Sequence, residues 1–96
     1  MPAETLTPVI NESQTTPKHS PRYRVLLHND DSVWVQLVVH ALQEVVQLSE
    51  QAAINVTITA HRTGIGLIKI CDIEIAEHYR DALGAKGLTV SMEPEE

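Results

Sequence analysis

The sequence predicts an α+β domain: a small three-stranded antiparallel sheet with three helices packed on one face, in the order β-α-α-β-α-β. Three observations carry this. Short runs rich in β-branched or alternating residues, at 23–27, 66–71 and 88–92, have the pattern of half-buried strands. Between them, apolar residues recur at helical spacing: 35, 38, 39, 42, 45 and 46 in one stretch, Ile75, Ala76, Tyr79 and Leu83 in another. Finally, 96 residues of which 43% are hydrophobic suffice for one core and not for two.

Residues 1–21 hold four of the five prolines, many Thr and Ser, and no period. They read as a disordered N-terminal extension, either slack or a tether that reaches a partner. The core domain is 22–96. Tyr23 to Leu27 is the first strand, following Pro21, and His28 to Ser32 is a turn. Val33 to Leu48 is a helix that Ser32 can cap. Ser49 is a second N-cap candidate, with Glu50 and Gln51 in the first turn after it.

The segment that follows reads two ways. Ile54, Val56, Ile58 and Ala60 alternate with Asn55, Thr57, Thr59 and His61, which by period alone is a strand. A cap, an acidic first turn and Gly64 as a stop argue for a helix. Gly66 to Cys71 is a strand. Asp72 can cap a third helix, which Gly84 and Gly87 end, and Leu88 to Met92 closes the chain as a strand. There is no internal repeat.

Composition excludes several classes of function. The formal net charge is −6, which argues against a nucleic-acid partner and suits a cationic one. With no Phe, one Trp and two Tyr, the core must be aliphatic. A lone Cys, Cys71, rules out an intramolecular disulfide and favours a reducing compartment. No apolar run approaches the ~18 residues of a membrane span. The N-terminus lacks the pattern of a signal peptide, and Glu4, Glu12 and the absence of Arg before Arg22 argue against a transit peptide. A cytoplasmic location of bacterial type is therefore expected ahead of a plastid stroma. The five histidines, at 19, 28, 40, 61 and 78, include no i, i+4 pair on one helix and no cysteine cluster, so no metal site is expected. Nucleophile motifs and Gly-rich phosphate loops are missing, and no catalysis and no cofactor are expected.

One stretch carries chemistry: His28-Asn29-Asp30-Asp31, where the first strand ends. Adjacent carboxylates repel and are costly to desolvate. The four residues are a solvated turn and helix cap, or they receive a cation. A primary ammonium has three donors and no acceptor. Asn29, Asp30 and His61 offer a matching set of acceptors: an amide oxygen, a carboxylate and a neutral imidazole nitrogen. This requires the second helix to carry His61 over the turn.

These residues resemble the ClpS adaptors, small proteins that bind destabilising N-terminal residues and deliver substrates to an AAA+ Clp chaperone–protease. The resemblance runs from about Tyr23 to Pro94. It rests on "YRVLLHNDD", "VVHALQEV", Ala60-His61 followed by Gly64, "EIAE" at 74–77 and the closing "GLTVSMEP". It implies a helix over the ambiguous segment. It also implies that Asn29, Asp30 and His61 hold the substrate α-amino group, and that Val33, Val35, Val38, Thr57, Ala60 and Leu88 surround the first side chain (Phe, Tyr, Trp or Leu). Glu74 matches an acidic position that faces the N-domain of the chaperone, and Asp31 is left to serve the start of the next helix. A monomer is expected. The chain departs from the family where Tyr-Thr-Pro-Met commonly follows the Asp pair: here stand Ser32, Val33, Trp34 and Val35. The acceptors are intact and the rim of the pocket is altered, as in a divergent member. The alternative is a scaffold or regulatory domain of the same fold that contacts Clp subunits or another adaptor without reading N-termini.

Overall fold

The structure, a computed structural model, describes residues 21–95. The reading of 1–21 as disordered falls outside these except for Pro21, whose carbonyl accepts a bond from Ile73 N at 3.1 Å. The elements are β1 (Arg22–His28), α1 (Val35–Ala41), a π-helical turn (Leu42–Val46), α2 (Glu50–Thr63), β2 (Ile65–Asp72), α3 (Ile73–Ala85) and β3 (Val90–Pro94). The expected order and class are found. The strands form one antiparallel sheet, β2-β1-β3, with the first strand in the middle. The register between β1 and β2 slips by one residue between Val25 and Leu26.

The core is aliphatic, as composition requires. Val25 and Leu27 from the central strand meet Ile68 and Cys71 from β2, Ala76 and Leu83 from α3, and Leu42 and Val46 from the π turn. Val25, Leu42 and Leu83 are fully buried; each such side chain contributes roughly 1.5–3 kcal/mol.

Several local expectations are corrected. The helix expected over 33–48 starts at Val35, loosens into the π turn at Leu42, and stops at Gln47, which is left-handed at φ 65°. Its N-cap position is Trp34, with no side-chain cap bond, so neither Ser32 nor Asp31 caps it. Both side chains are engaged within the preceding turn instead. Asp72 occupies the N-cap position of α3 without a capping bond, and α3 runs through Gly84, leaving Gly87 (φ 97°) as the stop. Ile75 is 45% exposed and is not on the buried face with Ala76 and Leu83.

Other expectations hold. Ser49 caps α2, its hydroxyl accepting from Ala52 N at 3.1 Å, and Gly64 ends the helix at φ 97°. Ser49→Ala should therefore lower unfolding free energy by about 1 kcal/mol in a denaturant titration. An unchanged midpoint would show the cap to be idle.

Candidate functional site

Three segments converge at the end of β1. The strand delivers His28 N to the carbonyl of Thr89, just before β3, at 2.9 Å. The next residue sends Asn29 N to the carbonyl of Gly64, the left-handed cap of α2, at 3.0 Å. The turn from Asn29 to Ser32 is thus pinned between the last turn of α2 and the entry to β3. Val33 N closes it onto the Asp30 carbonyl at 3.0 Å.

A second device sets the position of α2. Gly66 in β2 is buried, and a Cβ there would lie 2.6 Å from the Val56 carbonyl oxygen and 3.3 Å from Ala60 N. Only glycine lets the helix backbone lie this close to the strand. The face that α2 turns inward is small: Ala53, Thr57 and Ala60. Thr57 is buried with its hydroxyl donating to the Ala53 carbonyl at 2.8 Å, so it brings no unsatisfied polar atom inside.

Between these segments lies a cavity of about 250 Å³. Every residue expected at the amine site and the side-chain pocket lines it: Asn29, Asp30, His61, Val33, Val35, Val38, Thr57, Ala60 and Leu88. Leu27, His28, Asp31 and Thr89 line it as well. Glu74 does not; it is exposed in the first turn of α3.

The two carboxylates of the opening turn have different partners. Asp30 Oδ1 accepts from Ser32 Oγ at 2.6 Å and Ser32 N at 3.0 Å, and Oδ2 accepts from Thr89 Oγ1 at 3.3 Å. The Ser32 hydroxyl, then its N–H, hold the Asp30 carboxyl below the usual carboxylate range, with Thr89 adding to them against a small desolvation penalty. Asp31 Oδ1 accepts from Asn29 Nδ2 at 3.2 Å. That bond turns the Asn29 amide so that its oxygen has no partner among the described residues. His28 is held by Ser91 Oγ at 2.6 Å. Thus an oriented anion, a free amide oxygen and the His61 imidazole line one largely apolar cavity. No group of three or more potential metal ligands occurs among the described residues, and none of their helices is long and apolar enough to cross a membrane.

Ser32 and Thr89 were not legible as site residues. An Asp-x-Ser step at a turn is a local signal for the first. Thr89 carries none, being 59 residues from its partner.

The lowered Asp30 value makes a prediction. Its folded-state charge is retained above that lowered value, so the stability it supplies is full above the ordinary Asp value and is lost as pH falls from there through the lowered one. Ser32→Ala removes the largest cause and should move the Asp30 titration upward, read from its carboxyl carbon by NMR. A titration at the same pH in the variant would mean that the hydroxyl does not act on the carboxylate.

Comparison with known proteins agrees with this architecture. The family model described as ATP-dependent Clp protease adaptor protein ClpS matches residues 18–91. The adapter protein ClpS of Synechococcus sp. (strain CC9902) is 55% identical over 80 residues, covering 82% of this chain and 77% of the relative. That of Prochlorococcus marinus (strain MIT 9515) is 49% identical over 78 residues, covering 80% and 74%. Among solved structures, Agrobacterium tumefaciens ClpS2 bound to L-phenylalaninamide superposes with a TM-score of 0.70 at 31% identity, covering 80% of this chain and all of the other. The turn, the cavity and these likenesses converge: the chain belongs to the ClpS family of ATP-dependent Clp protease adaptor proteins.

Proposed function

We propose that the protein binds destabilising N-terminal residues of substrate proteins and hands those substrates to an AAA+ Clp chaperone–protease. The cavity carries this reading: a largely apolar hole sized for one side chain, lined also by a carboxylate, an amide oxygen and an imidazole. A chain N-terminus is an ammonium one carbon away from a side chain, and it fits both parts at once. The L-phenylalaninamide held by the Agrobacterium relative has that same pair of features, a free amine and one apolar side chain.

In this reading the Asp30 carboxylate, the Asn29 amide oxygen and the His61 imidazole accept the three ammonium hydrogens. Only the neutral imidazole has a lone pair to offer. Val33, Val35, Val38, Thr57, Ala60 and Leu88 enclose the first side chain, a Phe, Tyr, Trp or Leu. Val35, short and stiff at χ1, sets how large a ring passes the rim. Glu74, on the exposed side of α3, contacts the chaperone N-domain. The protein acts as a monomer without chemistry of its own, in a bacterial-type cytoplasm; its relatives include both bacterial and chloroplastic adaptors. The test is calorimetric binding of a Leu-starting peptide with a free and an acetylated N-terminus. Binding of the free peptide alone supports the reading, and equal binding of both replaces it with a scaffold that does not read N-termini.

A further inference from the structure

Thr57 is the one buried polar side chain among the described residues, 8% exposed, and it lines the cavity. Packing alone does not call for it. The inward face of α2 is small, and Ala53 and Ala60 before and after Thr57 meet that need. Val would fill the same shape without a hydroxyl. The hydroxyl proton is used inside the helix, donated to the Ala53 carbonyl at 2.8 Å. Its oxygen keeps acceptor capacity, and no group among the described residues donates to it. The pocket residues around it, Val33, Val35, Val38, Ala60 and Leu88, have no polar side-chain atom. Its place along α2 gives the acceptor a use. Thr57 and His61 stand four residues apart on one side of the helix, ~6 Å along its axis. Both line the cavity, and His61 is exposed where Thr57 is buried. The wall that α2 contributes therefore runs from solvent at His61 to the interior at Thr57.

Resting on the proposed N-terminus reading, we infer that Thr57 sets specificity inside the pocket: its oxygen accepts a hydrogen bond from the phenol of an N-terminal Tyr and so favours Tyr over Phe. With the amine beside His61, a ring directed along α2 carries its para position about one helical turn inward, to the level of Thr57. Tyr has a donor there. Phe fills the same space and has none. A Tyr hydroxyl enclosed by apolar wall without a partner is costly, so the sign of the difference between Tyr and Phe depends on this one oxygen.

The test uses the full chain and calorimetric binding of three peptides that begin with Tyr, Phe or para-fluoro-Phe and are otherwise identical. Tyr should bind about fivefold tighter than Phe, the effect of one neutral hydrogen bond. Para-fluoro-Phe, which adds bulk at the same atom and donates nothing, should not exceed Phe. Thr57→Val keeps the shape, removes the oxygen and should bring the Tyr-to-Phe ratio to one or below. Thr57→Ser retains the oxygen and should keep Tyr ahead. Thermal melts check that both variants fold, and the native chain alone decides the sign if they do not. Native binding of Tyr no tighter than Phe, para-fluoro-Phe binding as tightly as Tyr, or a Tyr preference that survives Thr57→Val overturns the role of Thr57. Failure of every free-amine peptide to bind overturns the N-terminus reading beneath it.

Discussion

Asp30→Ala should weaken binding of a Leu- or Phe-starting peptide by at least ~100-fold while the domain stays folded. The carboxylate is the one full charge facing the ammonium in the proposed site, and Ser32 and Thr89 hold it ionised and aimed. Its removal takes away the oriented carboxylate and leaves the ammonium with the Asn29 and His61 acceptors alone, and charge-assisted hydrogen bonds are the stronger ones. Folding should survive because the turn's backbone bonds, Asn29 N to Gly64 O and Val33 N to Asp30 O, do not use the side chain. Acetylating the peptide removes the same interaction from the ligand side. It should cost a similar factor in the native protein and little more in the Asp30→Ala variant, because the two changes delete one contact. Calorimetry on the four combinations checks this. Additive losses would mean that Asp30 and the amine act separately, and Asp31→Ala with the larger effect would mean that the two carboxylates have exchanged roles.

The second large effect is expected far from any ligand atom. Gly66→Ala places a methyl group 2.6 Å from a backbone oxygen of α2, which neither a rotamer change nor a flexible neighbour can relieve. Overpacking of this kind costs roughly 1–3 kcal/mol, out of a total that in small domains is only ~5–15 kcal/mol. The melting temperature should fall by on the order of 10 °C. Peptide affinity should fall too, since Thr57, Ala60 and His61 all ride on the displaced helix. Gly84→Ala is the control: it lies inside α3, a Cβ there meets nothing within 4 Å, and it should stabilise by up to about 1 kcal/mol. If the two substitutions behave alike in a thermal melt, close packing at Gly66 is not what positions α2.

The ambiguous segment shows where pattern reasoning fails and why. Ile54 to His61 alternates like a strand because α2 buries a face of small residues, Ala53, Thr57 and Ala60, and leaves Ile58 46% exposed. Hydrophobic size is then a poor guide to the inward face. The close approach at Gly66, which demands small residues, is a tertiary fact. The terminal signals, Ser49 and Gly64, were the reliable ones, because capping is local chemistry.

By itself the sequence determined what local chemistry can determine. It set the order of elements, the aliphatic core, the caps of α2, and the acceptors Asn29, Asp30 and His61 as a candidate set, since each follows from residue type and near neighbours. Only the tertiary structure decided that the cavity exists, that His61 reaches it across more than thirty residues of chain, and that Asp30 is the oriented carboxylate while Asp31 turns the Asn29 amide. It also brought Thr89 to Asp30 and left Trp34 exposed outside the core. The physical reason is the same in each case. A side chain's partners across the sheet are chosen by strand register and by how near two backbones can pack, and neither is written in the residues that make the contact.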